Sequence, residues 1–243
     1  MSNSFRMPSL PQLAAVLLAV AACNACGGSE PPPKAPEPVA ETEDEKPSPV
    51  SVSADIGGLN EDKVDKTFQS ALSDFQRCID DGAKRVEFLG GSVSFFVQIN
   101  THGKVDGAHL EKSTIGDRET EKCMLDTLRS KRWPKPVGGV HGLARKSFDF
   151  DPPNDVRAPT AWDGDRVSDD IAKLSKKLSA CKQGASGSFE ATLYVGTDGS
   201  VMAASVTPPD EAGESDVDCL VGALKGASLP SPGSWPAKVT FSL

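Results

Sequence analysis

One pattern runs through this chain twice, and that repetition constrains the fold more than any other feature. Residues 95–105 read FFVQINTHGKV and residues 191–201 read ATLYVGTDGSV. Gly91, Thr101, Gly103 and Val105 recur 96 positions later as Gly187, Thr197, Gly199 and Val201. The same offset pairs Cys123 with Cys219, Met124 with Leu220, Leu128 with Leu224, Trp133 with Leu229, and Pro134 and Pro136 with Pro230 and Pro232. Upstream, Val64, Phe68, Ala71, Phe75 and Cys78 recur at an offset of 103 as Val167, Ile171, Leu174, Leu178 and Cys181. The difference falls in one loop, IDDGAKRVEFLG, which shortens to KQGAS. Two constant registers separated by a single deletion predict two copies of one domain, residues 58–152 and 160–243, the second degenerate.

Each copy reads as α-β-β-α-β. Val64, Phe68, Ala71, Leu72, Phe75, Cys78 and Ile79 keep helical spacing behind an Asn60 cap and the acidic pair Glu61-Asp62. The segments SVSFFVQI and SFEATLYV predict strands, each followed by a tight turn (Asn-Thr-His-Gly or Gly-Thr-Asp-Gly) and a second strand. A second helix carries Cys123, Met124 and Leu128, or Cys219, Leu220 and Leu224, and stops at Trp-Pro-Lys-Pro or Leu-Pro-Ser-Pro. A last strand, KSFDF or VTFSL, closes each copy. The expected class is α+β: two tandem two-layer domains, each a small antiparallel sheet covered by two helices.

Three chain reversals separate the helices of a copy and leave them antiparallel. Cys78 near the end of the first helix and Cys123 near the start of the second therefore share one end of the layer, as do Cys181 and Cys219. In an oxidising compartment this arrangement predicts the disulfides Cys78–Cys123 and Cys181–Cys219.

The N-terminus gives the compartment. An arginine-bearing start precedes LAAVLLAVAA, residues 13–22, an apolar run too short to span a bilayer. Residues 1–22 thus read as a signal peptide, and Val20-Ala21-Ala22-Cys23 resembles a bacterial lipobox with Cys23 as the acylated residue. Residues 23–57 are dominated by Pro, Glu, Ala and Ser with almost nothing large and apolar, the composition of a disordered tether reaching up to roughly 90 Å when extended. The expected location is the cell envelope, lipid-anchored and facing the periplasm, with the outer membrane favoured.

A net charge of −8 without a basic run excludes nucleic acid as a natural partner, because phosphate neutralisation dominates such binding. No metal-protease, hydrolase or phosphate-loop motif occurs, so no cofactor or metal is implied. Among the three histidines, His102 lies on a hairpin tip, His109 in the next strand and His141 in the GGVHG loop. The second copy has Asp198 for His102 and Ser205 for His109, which excludes a shared metal site. Asp163 and Asp165 lack the rest of a calcium loop and read as helix caps. Trp162 and Trp235 have no counterpart across the repeat.

Cys78, GSVSFFVQINTHGKV, Ser113-Thr114, Cys123, WPKPVGG and SFDF together resemble the AgmX/PglI C-terminal domain of myxobacterial gliding-motility proteins, a relative of the TonB C-terminal domain. The second copy departs from that pattern, with Pro208-Pro209 for Ser-Thr and no Gly-Gly after its Pro-Ser-Pro. The resemblance implies no enzyme but a periplasmic protein-interaction module able to take a partner strand on its sheet edge. Trp133, Phe148 and Phe150 are the candidate interaction residues, and an unidentified envelope protein the expected partner, in a motility or envelope-spanning complex. The alternative is a lipoprotein that binds cell wall or a small ligand in the cleft between the copies.

Overall fold

The computed structural model describes residues 57–153, 155–183 and 186–243; the segments read from sequence as signal peptide and tether, with Cys23, lie outside them except for Gly57. The described chain is α+β. Its first half runs α1 (Glu61–Ala83), β1 (Gly91–Asn100), β2 (Val105–Ser113), α2 (Arg118–Ser130) and β3 (His141–Phe150). The second runs β4 (Thr160–Trp162), a 3₁₀ turn (Gly164–Arg166), α3 (Ser168–Ala172), α4 (Ser175–Cys181), β5 (Glu190–Val195), β6 (Val201–Thr207), α5 (Glu214–Lys225) and β7 (Ala237–Ser242).

Two sheets result, ordered β2-β1-β3 and β4-β7-β5-β6. Within each half a hairpin places its first strand in the middle, and the strand after the second helix pairs antiparallel with it: β3 with β1, β7 with β5. The addition in the second half is β4, which lies parallel on the outer edge of β7 with Ala161 opposite Lys238.

Local chemistry accounts for these elements. Asn60 caps α1, its side-chain oxygen accepting from the Lys63 amide at 3.0 Å, and Asp117 caps α2 through the Thr120 amide. Val93, Phe95, Val97 and Ile99 alternate inward on β1 beneath the apolar faces of the two helices. The first core is aromatic, with Phe75 stacked on Phe95 at 5.2 Å and Phe68 edge-on to Trp133 at 4.9 Å. Both disulfides are present, Cys78–Cys123 and Cys181–Cys219, with Cα separations of 5.8 and 5.5 Å.

The hairpin turns use the same device twice. Gly103 and Gly199 adopt φ of 74° and 81°, and a Cβ at either would stand 2.4 Å from the Trp133 carbonyl oxygen or 2.1 Å from that of Leu229. Only glycine satisfies both the left-handed backbone and the close approach. Across that approach the Trp133 amide donates to the Gly103 carbonyl and the Leu229 amide to the Gly199 carbonyl, at 3.1 and 2.9 Å.

The structure departs from the sequence reading in three places. The helix expected from Val167 to Cys181 is broken at Lys173-Leu174, where the Leu174 amide takes the nearer carbonyl of Ile171. That overwinding keeps Val167, Ile171, Leu178 and Cys181 in one buried cluster. The last strand of the first half starts at His141, five residues before KSFDF. Finally, β4 adds a short parallel strand where the first half, among the described residues, has only the equivalent first bond: the Gly57 amide donates to the His141 carbonyl as the Thr160 amide donates to that of Pro236.

Candidate functional site

The residues proposed from sequence as an interaction surface do not form one. Trp133 is 5% exposed and its indole N–H donates to the Leu128 carbonyl at 3.1 Å, which makes it a core residue with its polar atom satisfied. Phe148 is half-buried among Phe68, Phe75 and Phe95, with ring centroids 5.6 to 6.1 Å away. Phe150 packs on the same core but also lines a cleft. Along KSFDF the aromatic side chains point inward, while Ser147 and Asp149 face out.

What the first half does offer is an open strand edge. β3 pairs with β1 on one side only. On its other side the described backbone supplies a single hydrogen bond, from the Gly57 amide to the His141 carbonyl at 2.6 Å, after which Leu59 packs over Gly142. From Leu143 onward the outer N–H and C=O groups have no backbone partner among the described residues. A groove of about 540 Å³ runs beside this edge between Leu143, Ala144 and Arg145 and the α1 residues Glu61, Val64 and Asp65.

At the far end of β3 lies a cleft of about 620 Å³ between the two halves. Phe150 and Pro152 form one wall, Pro159, Ala161 and Trp162 the opposite one, and Phe88 and Tyr194 the floor. Its cation is Lys238, whose Nζ donates to the Gly90 carbonyl at 2.7 Å and sits 5.0 Å above the Tyr194 ring. Burial pushes the Lys238 ammonium down to about 8. Trp235 flanks the cleft, its N–H donating to the Ala158 carbonyl and its ring 6.0 Å from Phe88. Sequence reasoning had no means to place Lys238, Trp162 or Trp235, because Lys238 and Trp162 meet only through the unexpected β4–β7 pairing, and Phe88 of the first half reaches Trp235 only when the halves pack.

The halves also share a polar seam, centred on the buried Arg118 and open to solvent at Asp218. Arg118 of α2 donates to Glu214 and Asp218 of the second half at 2.7 and 2.8 Å. Beside it Glu121 is fully buried and accepts from the Ser113 hydroxyl. Burial pushes its carboxyl up to about 7, against the opposing pull of the Ser113 hydroxyl and the Arg118 charge.

The histidines are not brought together. His102 is exposed in the β1–β2 turn, His109 is buried 4.8 Å from Phe96, and His141 has its Nδ1 3.6 Å from Asp106. Among the described residues no group of three His, Cys, Asp or Glu side chains could hold a metal ion. No helix among the described residues is long and apolar enough to cross a membrane. No family model, curated protein or solved structure matches the chain.

Proposed function

We propose that this protein is a non-catalytic envelope module, anchored by a lipid on Cys23, that binds a protein partner by taking a strand of it onto the outer edge of β3. The observation that carries this reading is the contrast between the two halves. In the second, β4 lies parallel on the edge of β7 along Ala237–Val239; in the first, Gly57 makes the equivalent first bond to His141, but the edge of β3 is open from Leu143, within the stretch equivalent to the one β4 covers. An edge with unsatisfied donors and acceptors is a pairing template, and side chains on alternate positions then select the partner. The short β4 is an example within this chain of such an edge accepting a strand. The likeness of the first half to the AgmX/PglI C-terminal domain supports the same reading, as does the Cys23 lipobox for the anchor.

The test is a photoreactive residue at Ser147, exposed on β3, in living cells. A discrete protein adduct from position 147, absent when the photoreactive residue is placed instead at Asp126, exposed on α2, supports strand addition. The absence of any protein adduct, with the chain co-sedimenting with cell wall instead, would replace this reading by the second one. That second reading, a ligand-binding envelope protein, is favoured by the cleft. Aromatic and proline walls with Lys238, Asp149 and Asp151 among them suit a small molecule with an apolar body and a polar end.

A further inference from the structure

The β1–β2 turn and the segment after α2 form one tip of the first half, and this tip is chemically unlike the rest of an acidic molecule. Lys104, Arg132 and Lys135 are all exposed on it and form no ion pair among the described residues, in a chain of net charge −8. They are held together because the Trp133 amide bonds the Gly103 carbonyl and the Lys135 side chain lies against Gly103. Next to them the loop Val137-Gly138-Gly139-Val140 projects two valines, 82% and 50% exposed, the two most exposed large apolar side chains among the described residues. The loop backbone is fixed: Val137 and Gly58 exchange hydrogen bonds at 2.9 and 3.1 Å, and both glycines take positive φ, 70° and 63°. An apolar pair is thus displayed on a rigid turn beside three free cations.

The second half supplies an internal control. Its tip has the same turn, the same glycine against the same carbonyl and the same proline-bracketed segment. Yet Lys104 corresponds to Ser200, Arg132 to Ser228, Lys135 to Ser231 and Val137 to Gly233. The turn therefore folds without cations and without exposed valines, so these side chains are not there to build it.

We infer that this tip is a docking surface for an anionic phospholipid bilayer, Lys104, Arg132 and Lys135 meeting headgroup phosphates while Val137 and Val140 enter the interface. Charge complementarity accounts for the cations, at about 1 kcal/mol each near an anionic surface, and an interfacial apolar contact accounts for the valines. The chain itself points the same way. Residues 1–56 join the fold at Gly57, where an added Cβ would stand 1.7 Å from the Gly138 carbonyl oxygen in this same loop. Carboxylates close in the chain are Asp106, which accepts from Asn100, and Glu61 and Asp62 in the first turn of α1, where the helix N-terminus offsets their charge. Upstream of Gly57 stand Asp55 and the run 41–45, whose charge opposes docking and makes the test one of the tip's own cations. Bilayer docking goes beyond strand addition, and it would leave the β3 edge from Leu143 to Phe150 available to a protein.

A diazirine side chain at position 137, and in a separate protein at the matching position 233, tests this in the full chain on vesicles. The vesicles are phosphatidylethanolamine with about one-third phosphatidylglycerol, or phosphatidylcholine alone. The expected result is lipid adducts from 137 well above those from 233 on the anionic vesicles only. In the triple variant Lys104→Ser, Arg132→Ser, Lys135→Ser that excess falls by up to about 100-fold at low salt, at roughly 1.4 kcal/mol per decade. The serines copy the second half, so an unchanged thermal midpoint verifies folding. Equal lipid labelling from both positions, an excess that survives the triple variant, or adducts from 137 in cells to protein alone would overturn the proposal. An acyl chain on Cys23 raises both signals alike and leaves their ratio unchanged, so failure of the anchor and failure of the tip are separable.

Discussion

The Tyr194 hydroxyl donates to the Gly90 carbonyl at 3.1 Å, so a residue of β5 in the second half is hydrogen-bonded to the loop that leads into β1 in the first. Tyr194 is fully buried and belongs to the aromatic core of the first half, 5.6 Å from Phe88. Burial also holds its hydroxyl well above the ordinary phenol range, so it remains a donor at any physiological pH. A side chain shared in this way couples the halves. Tyr194→Phe should lose about 1 kcal/mol and Tyr194→Ala about 3–5 kcal/mol. Both variants should lower the melting of the two halves together, read by near-ultraviolet dichroism alongside calorimetry. Two transitions, only one of them shifted, would show that the halves are independent.

Removing the disulfides should cost more than any single hydrogen bond. The bridges close 45 and 38 residues of chain, for which the chain-entropy account gives about 4 kcal/mol each. The double replacement Cys78→Ala, Cys123→Ala should therefore lower the urea midpoint strongly, and Cys181→Ala, Cys219→Ala by a similar amount. Peptide mass spectrometry without reductant checks the pairing directly, since free thiols at all four positions would contradict it.

How far the sequence discloses this structure depends on whether the information is local. Helix spacing, the Asn60 cap, the Gly103 and Gly199 turns and the cysteine pairing all follow from residues close in the chain or repeated in register, and each is found. β5 gave a partial hint: in ALA-THR-LEU-TYR-VAL, residues 191–195, every position is buried, the mark of a strand covered on both faces. What covers the second face, Ser113 and Gly90 of the other half, is not encoded near β5. For the same reason the cleft around Lys238 was invisible. Trp133 and Phe148 misled because an aromatic near a strand end reads equally well as core or as surface until the helix above it is placed.

The two turn glycines make a paired test of local strain. Gly103→Ala and Gly199→Ala each place a Cβ against a backbone carbonyl at positive φ, so each should destabilise by about 1–3 kcal/mol. Gly222, on α5 with open space around its Cβ position, should instead gain up to about 1 kcal/mol on replacement by Ala. Urea denaturation of the three variants side by side checks the order, and a stabilised Gly103→Ala would refute the close approach to Trp133.

Glu121 gives the fold a pH dependence whose sign can be worked out. Burial holds its carboxyl at about 7 in the folded protein, whereas in the unfolded chain it titrates near 4.5. Between those values the folded state keeps a proton that the unfolded state has released. Stability is therefore full below about pH 4.5, declines as pH rises toward 7, and levels off above it. At 1.36 kcal/mol per pH unit the whole decline is on the order of 3 kcal/mol. Glu121→Gln carries no titrating group but still offers the Ser113 hydroxyl an acceptor, so it should abolish this slope. The comparison is the difference in urea midpoint between wild type and variant at pH 5 and at pH 7, below the value of about 8 to which burial brings Lys238, whose ammonium the Glu121 charge favours. The variant should gain on the wild type at the higher pH; a difference that stays constant would mean that Glu121 is already ionised in the folded protein.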